Sequence, residues 1–154
     1  MSEVISSGSL LEIWQGNRRL TRRVIEAFPE KELFEFSIGG MRPFSELAKE
    51  LLAIAVPGLT EIAGGDTGSL SEDLQVHSKA ELLQLWDEAT EGINGFWPRI
   101  SPERFGETIR LFGQYENTVT DSIFYFIENE IHHRGQGYVY LRALGIQPPF
   151  FWER

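Results

Sequence analysis

Residues 118–144, "TVTDSIFYFIENEIHHRGQGYVYLRAL", run without a proline up to Gly145 and read as one long helix ending at a natural terminator. A helix of this length must bury an apolar stripe along partners of similar reach, which points to a bundle. Its interior carries Gly135 and Gly137. Each costs a helix on the order of 1 kcal/mol against alanine, so a compensating close approach by a neighbouring helix or a second subunit is expected.

Three more helical segments accompany it. In the first, Leu10, Leu11, Trp14, Leu20, Val24 and Phe28 recur at three- to four-residue steps until Pro29, so a helix is expected over about 9–28. Ser9 and Glu12 have the spacing of a capping box at its start. Arg18, Arg19, Arg22 and Arg23 read as its solvated side, a functional basic patch being the sharper alternative. The second segment follows "SIGGMRPF", where Pro43 suits a first helical position. Phe44, Leu47, Leu51 and Ile54 form its stripe, "VPG" at 56–58 ends or kinks it, and "GGDTGS" is a loop. Ser78 and Glu81 announce the third by a second capping box, and His77 just before it reads as a loop or capping residue.

Between Trp97 and Asn117 the signals are mixed: "SPER" suggests a short helical turn and "ETIRLFGQ" is compatible with extended chain. The tail "QPPFFWER" is aromatic and proline-locked and is expected to pack back over the bundle. No strand pair is convincing and no repeat is present. The expected fold is therefore an all-α four-helix bundle in a single domain over residues 1–154. The span around residues 64–77 is long enough for a crossover, so a simple up-down-up-down path is not implied.

Composition narrows the function classes. With 23 acidic against 14 basic residues the net charge is -9, which argues against a phosphate-backbone partner. The absence of cysteine excludes disulfides, thiolate metal sites and a cysteine nucleophile. No segment is apolar enough to span a membrane and no targeting pattern opens the chain, so the cytoplasm is the default location. There is no glycine-rich phosphate loop and no "HExxH".

The chemistry that remains sits in "ENEIHHRGQ". Adjacent helix positions point about 100° apart, so His132 and His133 serve different faces. Phe126, Asn129, His133, Gln136 and Tyr140 share one stripe, whereas His132 turns toward Tyr125 and Glu128. Asn129 and His133 thus form an i, i+4 pair, the helical way of offering two groups to one site. On the second helix, Glu46 and Glu50 would ordinarily be solvated, yet Glu50 lies at the edge of the buried stripe.

"GMRPFSELAKELL" and "HHRGQGYVYLRALGIQPP" resemble the DinB/YfiT-like family of metal-dependent enzymes, and the resemblance extends over essentially the whole chain. It implies a four-helix bundle with an up-down-down-up path, commonly a homodimer, with a nickel or zinc ion held by three histidines. It also implies thiol-dependent transfer or isomerisation, or metal-dependent hydrolysis, of a small molecule. The ligand positions fall on Glu50, Asn129 and His133, with Gln136 and Tyr140 lining the pocket. Only one of the three is a histidine here. Glu50 is a competent oxygen ligand, but Asn129 is neutral and weak, so a divalent metal would be held loosely. His132, on another face, does not replace it. Two readings follow: a divergent metalloenzyme with a degenerate triad, or a non-catalytic bundle that lost the metal and binds a small molecule or acts as a dimeric interaction module.

Overall fold

A computed structural model gives the architecture and describes residues 3–64 and 73–154. In chain order it contains α1 (Ser7–Ala27), α2 (Glu30–Glu35), α3 (Phe44–Gly64), α4 (Lys79–Phe96), β1 (Thr108–Leu111), β2 (Tyr115–Thr118) and α5 (Val119–Ala143). Two 3-10 turns, Trp97–Arg99 and Pro102–Gly106, link α4 to β1. The long helices make an all-α bundle, as expected.

Side-chain pairings fix the path of the chain. Gln15 reaches Asn94 and Arg18 reaches Thr90 across α1 and α4, while Lys79 caps the carbonyl of Phe28, so these helices are antiparallel. Leu10 and Trp14 share a core with Ile123 and Phe126, and Val24 and Phe28 share another with Tyr140 and Leu141, so α1 and α5 run parallel. Phe44 packs at Gly137 and Phe126 at Gly58, so α3 opposes α5. The bundle is up-down-down-up. Helices α3 and α4 therefore run parallel. The "GGDTGS" loop lies outside the described residues apart from Gly64, the last residue of α3.

Local chemistry accounts for most boundaries and for several departures from expectation. Helix α1 starts nearly a turn before the expected capping box, because Ser6 accepts the Ser9 N–H at 3.0 Å and itself caps the helix. The helix closes at Phe28, whose extended conformation suits a residue before proline. The short α2 was not expected; six residues carry too little periodicity to stand out. At α4 the Ser78 side chain accepts the Glu81 N–H as expected, but Glu81 answers through the N–H of His77, at 2.7 Å. Pro57 does not end α3: the helix continues to Gly64 because Leu59 and Ile62 are fully or nearly fully buried and reward its extension.

Two expectations are overturned outright. Strand pairing is present, as β1 and β2 form an antiparallel hairpin with Thr108 opposite Thr118 and Leu111 opposite Tyr115. Its turn holds Phe112 at φ 53° and Gly113 at φ 68°, with the Gln114 N–H bonded to the Leu111 carbonyl. Two positive φ values in succession match the mirror-image turns that suit hairpins. The second reversal concerns Arg18, which is not solvated but fully buried. Its guanidinium lies 4.1 Å from the centre of the Trp86 ring and donates to the Trp86 carbonyl.

Arg18 belongs to a polar layer between the two apolar clusters of the core. Glu130 accepts from Thr21 at 2.7 Å and lies 3.8 Å from Arg18, while Arg134 clasps the side chain and carbonyl of Asn17. Burial pushes the Glu130 carboxyl up, against the pull of Arg18, Thr21 and Arg134. The tail is tied down by its backbone, through Tyr138 to the Pro149 carbonyl and Arg23 to the Glu153 carbonyl. Its rings point outward: Phe150 stacks on Trp152 and both are exposed.

Candidate functional site

The seam between α3 and α5 is closed at both ends by an aromatic ring over a glycine. A Cβ on Gly137 would fall 2.6 Å from the Phe44 ring, and one on Gly58 would fall 2.5 Å from the Phe126 ring. The expected compensation for a glycine in α5 is thus met at Gly137 by Phe44, whereas Gly135 faces open space. Between these two close approaches the helices bring Glu50 opposite Asn129 and His133.

The three side chains meet directly. Glu50 Oε2 accepts hydrogen bonds from His133 Nε2 and, at 3.2 Å, from the Asn129 amide. The other oxygen, Oε1, is held by Arg42 at 2.9 Å. Burial alone would raise the Glu50 carboxyl; the Arg42 guanidinium, His133 and the Asn129 amide outweigh it and hold the group below the usual carboxylate range. His133 Nδ1 lies 2.8 Å from the Gln136 amide oxygen, and the Gln136 nitrogen faces Met41 Sδ. The Tyr140 hydroxyl donates to the Arg42 carbonyl at 2.8 Å, which fixes the backbone that presents the guanidinium.

This donor set does not fit a nickel or zinc ion. A metal needs free lone pairs converging on one point, and here His133 Nε2 and Glu50 Oε2 face each other directly. The remaining carboxylate oxygen carries a guanidinium, whose fixed positive charge opposes a dication. Asn129 turns its NH2 toward Glu50 and donates. Among the described residues, no group of three or more His, Cys, Asp and Glu side chains could hold a metal ion. What the cluster can do is lock α3 to α5 and give that seam a polar, charge-paired centre.

His132 points away from this centre and is exposed, as helical geometry requires. Gln136 belongs to the cluster, but Tyr140 is fully buried behind it. A cavity of about 420 Å³ lies beyond the cluster, one turn further along both helices, where the hairpin leans on them. Ile54, Phe112, Tyr115, Tyr125 and Phe126 form its apolar walls. Tyr125 connects the two regions, since burial, Glu50 and Tyr115 together raise its phenol above the usual range.

Sequence reasoning missed Arg42 and the cavity walls. Arg42 stands inside the quoted "GMRPF" stretch, but nothing in its spacing says that it folds back onto Glu50 eight residues later. Phe112 and Tyr115 were missed because the turn "LFGQ" places phenylalanine where asparagine usually announces a hairpin.

The family model for the DinB family matches residues 1–153. A DinB-like protein (YjoA) from Bacillus subtilis superposes with a TM-score of 0.74 at 22% identity, covering 94% of this chain and 99% of that one. Another, from Bacillus cereus ATCC 10987, gives 0.72 at 16% identity, with 93% and 95% covered. At these identities the likeness speaks for the fold. No curated protein matches the sequence.

Proposed function

This chain belongs to the DinB family, and on that premise we propose that it is a small-molecule-binding bundle in which an ion-paired cluster stands where the resemblance implies metal ligands. The observation that carries this reading is the direct contact of Glu50 with His133, with Arg42 on the second carboxylate oxygen. The ligand site is the cavity next to it, walled by α3, α5 and the hairpin. The convergence of Glu50, Asn129 and His133 on one point favours a second reading, a divergent metalloenzyme of the transferase or hydrolase type.

Metal analysis of protein purified without a polyhistidine tag separates the two. The expected result is less than a tenth of an equivalent of nickel or zinc. A full equivalent that disappears in a folded His133→Ala variant would reverse the choice.

The homodimer that the resemblance implies would use the outer face of α5. On the outer face of α5, Ile131, Gly135 and Val139 are exposed, and a Cβ on Gly135 would meet nothing. Glu128 and Arg142 lie two turns to either side of Gly135 and are exposed too. A second copy laid antiparallel about Gly135 would bring each Glu128 toward the other's Arg142, the self-complementarity that a twofold interface requires.

A further inference from the structure

The cavity between α3, α5 and the hairpin is lined by four aromatic rings, the aliphatic Ile54 and Leu111, the neutral polar Gln114, Asn117 and Ser122, and one carboxylate. Phe112 and Phe126 form a buried floor, at 8% and 3% exposure, and Tyr115 and Tyr125 form a half-open rim, at 56% and 54%. Among the described residues, Glu116 is the one charged residue in its lining, and no Lys, Arg or His contributes. Aromatic faces carry negative charge density, so four rings and a carboxylate, with only neutral polar side chains beside them among the described residues, favour positive charge over negative.

The floor is also built at a cost. Phe112 holds a left-handed backbone conformation that glycine would adopt without strain. Its N–H donates to both oxygens of the Glu61 carboxylate at 3.2 Å, an anchor from α3 that keeps the turn in place. A side chain retained in such a conformation, with its ring turned into a cavity, marks a position where the ring has a use.

We propose that this cavity binds an organic cation, a quaternary or tertiary ammonium carried on an aromatic or branched alkyl body. The ammonium sits between the Tyr115 and Tyr125 rings with Glu116 beside it, and the apolar body rests on Phe112, Phe126 and Ile54. The inference rests on the cavity being the small-molecule site and adds the chemistry of what enters it.

Two soluble compounds of the same shape test it on the full chain: (3-hydroxyphenyl)trimethylammonium and its neutral carbon isostere, 3-tert-butylphenol. Binding is read by calorimetry and by the aromatic NMR signals of Tyr115 and Tyr125. The cation is expected to bind about tenfold more tightly than the isostere. Tyr125→Leu should remove most of that preference and Tyr125→Phe should keep it; both changes are at a half-exposed position that the fold tolerates. Glu116→Gln should weaken the cation alone. Equal or tighter binding of the isostere overturns the cation inference while the small-molecule reading stands. If neither compound moves the tyrosine signals, both fall.

Discussion

His133 on α5 and Glu50 on α3 are hydrogen-bonded to each other directly, imidazole Nε2 to carboxylate Oε2, with Asn129 donating to the same oxygen. The bond joins two helices at residues 83 apart in the chain and occupies the groups that a metal would need. Everything proposed for the site turns on that contact.

Restoring a ligand and removing the opposing charge should recreate a metal site. Asn129→His combined with Arg42→Ala leaves two imidazoles at i, i+4 and a carboxylate without its guanidinium partner. Zinc binding by calorimetry is expected to be at least about tenfold tighter than in the wild type, and weaker in Asn129→His alone. Equal affinity in all three proteins would show that Arg42 does not guard the site.

The Glu50 carboxyl is held below its ordinary value of 4.5, so its contribution to stability has a defined sign with pH. The folded state favours the ionised form; the contribution is complete well above 4.5 and is lost as pH falls through the lower folded value. Glu50→Gln should therefore be less stable than wild type at pH 7, with the gap closing below about pH 4.5. Urea unfolding at several pH values measures it, and a gap that widens on acidification would contradict the pairing.

Gly137→Ala should destabilise the protein by about 1–3 kcal/mol, although alanine is the better helix former, because the new methyl meets the Phe44 ring. Phe44→Leu made first should reduce that penalty. Thermal or urea unfolding of the single and double variants decides it; additive effects would remove Phe44 as the cause.

The proposed dimer predicts a charge-swap pattern. Glu128→Arg and Arg142→Glu should each shift the protein toward monomer in light scattering, and the double variant should regain the dimer. Wild-type protein that is monomeric at high micromolar concentration would dismiss the α5 interface.

Much of this protein was legible in its sequence. The periodicity of α1, α3, α4 and α5 is set by which residues can be buried, and burial obeys the helical repeat whatever the partners are. The same repeat separated His132 from His133 and placed Asn129 beside the latter. Arg18 misled because four arginines near one another look like a water-facing surface; only Glu130 from α5 and the Trp86 ring from α4 make one of them a core residue.

The chain alone thus determined the helices, the stripe that faces inward and the residues standing where the resemblance implies metal ligands. Tertiary structure decided what those residues do. Arg42 reaches Glu50 and Phe112 becomes a cavity floor through contacts between elements, and local spacing sets only which way a side chain leaves its own backbone. What it meets there depends on a helix or hairpin that arrives from elsewhere in the chain, and that meeting brings Arg42, Glu50, Asn129 and His133 into one hydrogen-bonded cluster.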